Sequence, residues 1–407
     1  MSAICKKIWR RLWGLVVDVT DFDEVIPRKG TFCLKYDFAE ARNMPKDALP
    51  FWVADMDFRV PEAVTEELVK RSRHGIFGYT DINEAYIKIL ADWFKVRHDW
   101  EPDTGNMVTT PGVLFAISAA IRAFTHEGDG VLINPPVYYP FARVILDNRR
   151  KLVESPLVLI NGHYEIDLTD FEKKIACERV KMFVLCSPHN PVGRVWTRDE
   201  LARLAEICLN YRVLVVADEI HHDFIRPGFK HTVFSALTPE ISGITVTCTA
   251  PGKTFNMAGL QMSHIFTDDD DLCLKFRHEL DAMGYSQPNA MGIFAAKAAY
   301  EHGGAWLDEL LVYLEGNIRC VKDFLTKNLP LVRLIEPEGT YLLWLDFTRY
   351  GLTDDELDEI IIRHGRLWLD SGYIFGTGGS GFQRINIACP RSVLQKGLER
   401  LAKAFSS

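Results

Sequence analysis

Three residues in this chain carry clear chemical potential, and each lies just beyond an apolar run. Lys253 stands in Thr249-Ala250-Pro251-Gly252-Lys253-Thr254-Phe255-Asn256-Met257-Ala258-Gly259-Leu260, after the β-branched stretch Ile244-Thr245-Val246-Thr247. That stretch reads as a buried strand ending in a crowded loop. A lysine there is partly desolvated, which lowers its pKa and frees the amine to form a Schiff base with an aldehyde. Asp218 ends the apolar run Val213-Leu214-Val215-Val216-Ala217. A carboxylate at the C-terminal end of a parallel strand lies where ligands bind in α/β sheets. It can pair with a protonated heterocyclic nitrogen and make the ring an electron sink, or simply cap a helix. Asn190, in Val184-Leu185-Cys186-Ser187-Pro188-His189-Asn190-Pro191-Val192-Gly193, sits between prolines that stiffen its backbone. Its amide can donate to a phenolate oxygen, or serve the turn alone.

Two further stretches would serve charged ligand groups. Pro111-Gly112 opens the helix-forming run from Val113 to Thr125, and a helix N-terminus offers free N–H groups and a positive dipole end to an anion. Arg384 lies in Phe382-Gln383-Arg384-Ile385-Asn386-Ile387-Ala388. Strand alternation puts it on the face of Phe382 and Asn386, where it is either an exposed arginine or a fork for a carboxylate.

The elements that must position these residues alternate along the chain. Helices are expected at 61–73, 85–98 and 113–125, then a strand at 130–134, a helix at 141–148 and strands at 152–155 and 181–186. A helix at 198–210 and strands at 213–217 and 244–248 follow. Strands spaced by helices imply a mainly parallel sheet with helices on both faces. Helices at 269–280, 290–302 and 305–328 lead into a C-terminal part of mixed strands and helices, with strand 383–388 and helix 391–405. The expected organisation is an extension over 1–20, an N-terminal part of a small α+β domain over 21–75, a large domain over 76–300 and the rest of the small domain over 301–407.

In order, Asn190, Asp218 and Lys253 resemble the aminotransferase class I/II family of pyridoxal phosphate (PLP) enzymes, from about Asp21 to the C-terminus. Within it the chain looks most like the carbon–sulfur lyases, cystalysin and the cystathionine β-lyases. That finer likeness rests on Phe51-Trp52-Val53-Ala54-Asp55-Met56-Asp57-Phe58, Pro135-Pro136-Val137-Tyr138-Tyr139-Pro140-Phe141, the Ser187–Gly193 and Asp218–His221 stretches, and Gly372-Tyr373-Ile374-Phe375-Gly376. The resemblance implies an α/β fold, fold type I of PLP-dependent transferases, with a seven-stranded-type sheet. It implies Lys253 as the catalytic lysine and the amides of Gly112, Val113 and Leu114 on the cofactor phosphate. Tyr138 would stack on the cofactor ring, with Asn190, Asp218 and His221 around it. Tyr79 would reach the phosphate of the neighbouring subunit in a homodimer. Arg384 would anchor the substrate α-carboxylate, with Tyr139, Ala54 and Asp55 lining the substrate pocket. Gln261 stands where many relatives carry a phosphate-binding arginine.

The implied activity is elimination from an L-amino acid with sulfur at Cβ. Transamination shares every residue named, and a PLP-binding regulatory protein is a third reading. Gly376-Thr377-Gly378-Gly379-Ser380-Gly381 matches G-x-G-x-x-G, but a strand rather than a helix follows, so it reads as a flexible loop over the pocket and not as a dinucleotide site. No metal site is expected: His221 and His222, taken as strand neighbours, would point to opposite faces.

Composition agrees with a globular enzyme. The chain has 407 residues, 47% hydrophobic and 25% charged, with a formal net charge of -8, which argues against nucleic acid as a general partner. Nine cysteines without C-x-x-C spacing fit a reducing cytoplasm better than a disulfide framework. Lys6, Lys7, Arg10 and Arg11 precede an apolar run broken at once by Asp18, too short for a signal peptide or a membrane helix.

Overall fold

A computed structural model describes residues 20–406. The basic stretch at the N-terminus lies outside them, Thr20 apart. The large unit is built on a seven-stranded sheet in the spatial order Val108–Thr110, Ser263–Phe266, Thr245–Thr249, Leu214–Asp218, Val180–Cys186, Gly130–Ile133, Lys151–Glu154. Ser263–Phe266 is antiparallel to both its neighbours, and the other pairings are parallel. The sheet is buried on both faces, which is why its strands read as continuous apolar runs. Met182 and Val184 belong to one core, packed with the helix Val113–Phe124. Phe183 and Leu185 belong to another, packed with the helices Leu168–Cys177 and Arg198–Tyr211.

Three parallel strands end level with one another. Cys186 stands opposite Asp218, and Asp218 opposite Cys248. The loops beyond these ends carry Asn190, Asp218 and Lys253, so the backbone ladder itself brings together residues far apart in sequence.

A second, antiparallel sheet joins Arg333–Leu334, Leu342–Asp346, Phe382–Asn386 and Asp370–Ser371. The N-terminal segment joins this part of the molecule: Leu49–Pro50 pairs in parallel with Leu367–Trp368, and Trp52 stacks on Trp368 at 4.4 Å. The helix Gly304–Asn328 shares a third core with both.

Several elements differ from the sequence expectation by their existence. The hairpin Leu157–Ile160/His163–Ile166 and the helix Leu168–Cys177 occupy a stretch where no element was expected. The helix is short and buries only Phe171 and Ile175, and Asp167 caps it by accepting from the N–H groups of Thr169 and Asp170. Ser263–Phe266 was missed because Ser263 and His264, both fully buried, conceal a core strand. The Gly376–Gly381 segment is not a loose loop over the pocket. Thr377 donates to Glu154, Ser380 and the Gly381 N–H bind Asp354, and Gly379 lies so close to Gly372 that neither has room for a side chain.

Candidate active site

The ends of those strands open into a cavity of about 250 Å³, lined by Trp52, Val53 and Ala54, by Pro111–Leu114, by Tyr138 and Tyr139, and by Asn190, Asp218, His221, Lys253 and Arg384. Nearly all the residues singled out in the sequence therefore meet in one place, drawn from seven separate stretches of chain.

Lys253 follows strand Thr245–Thr249 on the single helical turn Pro251–Thr254. Its Nζ donates to the carbonyl oxygen of Ala54 at 2.5 Å. Burial pushes the amine down to about 8, and Arg384 adds to the effect while Asp55 and Asp218 oppose it. Burial pushes Asp218 up to about 7, against a hydrogen bond from the Ile220 N–H and the nearby lysine. That N–H, at 3.2 Å, is the donor the described chain supplies to its carboxylate. Burial thus moves both groups toward neutrality, from opposite sides.

Arg384 is only 2% exposed, which removes the reading as a surface arginine. Strand Phe382–Asn386 is buried on both faces. Nη1 donates to Asn190 Oδ1 at 2.8 Å, and Nη2 donates to the Trp52 carbonyl at 2.8 Å and to Asp370. Nε is buried with no partner. Asn190 spends its oxygen on this contact and keeps its amide N–H groups. Asp370, which also lines the cavity, went unnoticed in the sequence, where nothing distinguishes it from a solvated acid.

The Trp52–Asp57 stretch is held from several sides. Asn386 donates to the carbonyls of Val53 and Asp55 at 2.7 and 2.6 Å, Asn256 to those of Met56 and Phe58, and the Tyr341 hydroxyl to that of Ala54. Asp55, expected among the substrate contacts, is turned away from the cavity. Its carboxylate meets Arg28 Nη2 at 2.6 Å and lies near the buried Lys35. The two cations hold it below the ordinary carboxylate range despite burial.

Gly112 precedes the helix Val113–Phe124 with no side-chain cap, so the first N–H groups of that helix remain free at the cavity wall. Gln261 also lines the cavity, and among the described lining residues the lysine and arginine side chains are Lys253 and Arg384. His221 is 3% exposed, with Nδ1 unpartnered. Burial, Lys253 and Arg384 together push it well below the usual histidine range, so it is neutral. Tyr139 is part-exposed at the mouth, and burial pushes Tyr138 up to about 12. Tyr79 is 96% exposed beside exposed Ile76 and Phe77 and makes no contribution to this chain's cavity.

His221 and His222 lie in a turn after the strand rather than on it. They still diverge: His221 lines the cavity, while His222 meets His98 and Asp223, whose ligand-type atoms all lie within 4.8 Å of one another. Asp223 accepts there from Thr254 and meets His98 Nε2 at 2.9 Å, while His222 Nε2 lies 3.2 Å from it without a hydrogen bond.

Known proteins are similar to this chain over nearly its whole length. The chain is 44% identical to cystathionine beta-lyase PatB of Bacillus subtilis over 386 residues, covering 95% of this chain and 100% of that protein. It is 33% identical to protein MalY of Escherichia coli, covering 95% and 98%. Its fold superposes on cystalysin from Treponema denticola, a crystal structure containing pyridoxal 5'-phosphate, with a TM-score of 0.93 and 40% identity over 95% of this chain and 99% of that one. The model of the family described as aminotransferase class I and II matches residues 46–401, and the chain belongs to that family.

Proposed function

We propose that this protein is a PLP-dependent carbon–sulfur β-lyase, which converts L-cystathionine or a related cysteine S-conjugate to pyruvate, ammonia and a thiol. The observation that carries the reading is the meeting of Lys253, Asp218 and Arg384 in one cavity of a chain so similar to a named cystathionine β-lyase.

The residues fit the cofactor. Asp218 has unused acceptor capacity for a protonated ring nitrogen, and Asn190 has free amide donors for a phenolic oxygen. The uncapped amides of Gly112, Val113 and Leu114 suit a phosphate. Gln261 adds no charge there, so the phosphate rests on backbone dipoles and on what a second subunit brings. When bound, PLP supplies an aldehyde that condenses with amines and a ring that delocalises the electron pair left at Cα.

The chain's own groups do the rest. Arg384 holds the substrate carboxylate, and that grip fixes which Cα bond faces the ring. Lys253, with its amine near 8, is partly uncharged at neutral pH and takes the Cα proton as general base. Asp218 keeps its partner nitrogen protonated, so the electron pair moves away from Cα until the Cβ–S bond breaks and the thiol departs. Hydrolysis of the three-carbon fragment gives pyruvate and ammonia. Tyr138 and Tyr139 enclose the cavity on the side of Arg384.

The active unit in this reading is a homodimer. Its support is the exposed Ile76-Phe77-Gly78-Tyr79 stretch, an apolar surface of the kind that marks an interface. Tyr79 would complete the partner's phosphate site. Mixing inactive variants tests this, as argued below, and product analysis with L-cystathionine tests the reaction.

A further inference from the structure

Asp218 and Lys253 face the cavity, and the residues that follow each of them face away from it into one shared buried cluster. Glu219 follows Asp218, and its carboxylate accepts from the Phe234 N–H at 2.8 Å and meets His231 Nε2 at 2.9 Å. Thr254 follows Lys253, and its hydroxyl donates to Asp223 Oδ2 at 2.6 Å. His222 joins the two halves. Its Nδ1 faces the Glu219 carbonyl at 2.5 Å, and its Nε2 stands 3.2 Å from Asp223 Oδ2. His98 Nε2 meets the other oxygen of Asp223 at 2.9 Å. These side chains are almost wholly inaccessible, His98 being the most exposed at 6%. None of them lines the cavity.

The cluster is charged as well as buried. Burial alone would raise the Asp223 carboxyl, yet His222 and His98 hold it well below its ordinary range. His222 is raised by the same pairing, against its own burial. The threonine bond is therefore donated to a carboxylate in a dry setting, the stronger class of hydrogen bond. Shifting any member would strand a buried charge.

Such a cluster answers a positional need. The ladder between strands Leu214–Asp218 and Thr245–Thr249 holds Asp218 in register with Cys248. Lys253 lies beyond the end of that strand, where no strand pairing fixes it. Its own amine reaches only the Ala54 carbonyl, a contact that must be released for the amine to react. The remaining polar tie between this turn and the end of the Asp218 strand runs through Thr254 and Asp223.

We propose that Asp223, acting through Thr254 and supported by His222 and His98, is the positioning residue that sets where the Lys253 amine stands relative to Asp218. The inference rests on the lyase reading for its kinetic arm. Its spectroscopic arm needs only that the cofactor binds.

The test uses the PLP-loaded full chain with Thr254→Val, which deletes the hydroxyl at nearly constant volume, and Thr254→Ser, which keeps it. Three quantities are measured: kcat and KM for pyruvate release from L-cystathionine, the pH midpoint of the bound cofactor's visible absorbance, and the melting temperature. Thr254→Val is expected to lose about tenfold or more in kcat, since displacements near 1 Å can cost up to about 100-fold. Its KM should stay within about threefold, and its absorbance midpoint should move. Thr254→Ser should return both kcat and midpoint to near wild type. Asp223→Asn should repeat the Thr254→Val pattern, and it stands in for that variant if Thr254→Val does not fold. A folded variant that melts lower but keeps the wild-type kcat and midpoint would overturn the inference, because the cluster would then be scaffolding alone. If wild type itself releases no pyruvate, the lyase reading fails, while the midpoint still decides the positioning role.

Discussion

The Nζ of Lys253 donates to the carbonyl oxygen of Ala54 at 2.5 Å, across 199 positions of sequence. The contact joins the turn after a central strand to the Trp52–Asp57 stretch, which Asn386, Asn256 and Tyr341 fix in place from elsewhere. A buried amine with one neutral acceptor is a strong nucleophile near neutral pH. Borohydride treatment of the PLP-loaded protein should therefore attach the pyridoxyl group at Lys253, as read by peptide mapping. Lys253→Ala should lose about 10²–10⁴-fold in turnover, the range for a proton-transfer group. Label on another lysine would remove Lys253 from its proposed role.

Arg384→Lys keeps the charge and loses the planar fork. Each lost hydrogen bond to a charged group is worth about 1.5–3 kcal/mol. The fall should appear in kcat/KM for amino acid substrates, measured under initial-rate conditions. Wild-type efficiency in this variant would place the substrate carboxylate somewhere else.

The elevated Asp218 makes stability depend on pH in a defined direction. Burial moves its carboxyl from 3.8 to about 7. Between those values the folded, cofactor-free chain keeps a proton that the unfolded chain has lost. The stabilisation from neutral Asp218 is therefore full below pH 3.8 and gone above about pH 7. Asp218→Asn lacks this loss. Relative to wild type, its unfolding free energy should rise by roughly 2–4 kcal/mol between acid and neutral pH. Denaturant titrations of both cofactor-free proteins across that range check the sign, and a constant difference would contradict it.

If Tyr79 completes a partner's site, Tyr79→Ala and Lys253→Ala chains should each be impaired, and unfolding and refolding them together should restore activity. The mixed dimer then holds one site with both residues intact. No recovery on mixing, or a fully active monomer by light scattering, would rule out the shared site.

Much of this site is legible in the sequence because parallel strands do the assembling. An apolar run that stops at an ionisable residue, as at Asp218, marks both a buried strand and its ligand-facing end. Lys253 and Asn190 follow such strand ends by four residues, in the loops beyond Thr249 and Cys186. Residues whose role depends on side-chain direction were harder to read. Asp55 and Asp370 look alike on paper, yet Asp55 turns to Arg28 while Asp370 turns to Arg384. Only the pairing of Asp370 opposite Arg384 across two short strands decides that. His222 and Asp223 were equally opaque, since their partners His98 and Thr254 come from distant parts of the chain. The helix Leu168–Cys177 is hard to read because it is short and follows a hairpin, although Asp167 caps it.

A lyase and an aminotransferase share every group described up to removal of the Cα proton, and they part at the next step. An aminotransferase returns a proton to the cofactor, releases a keto acid and then needs an acceptor. A lyase expels the group on Cβ and needs none. The direct measurement is product analysis of purified, PLP-loaded protein given L-cystathionine and no keto acid. The account predicts pyruvate, ammonia and thiol in equal amounts over many turnovers. Turnover that stops after one equivalent and resumes only with a keto acid, with no free ammonia, would contradict it.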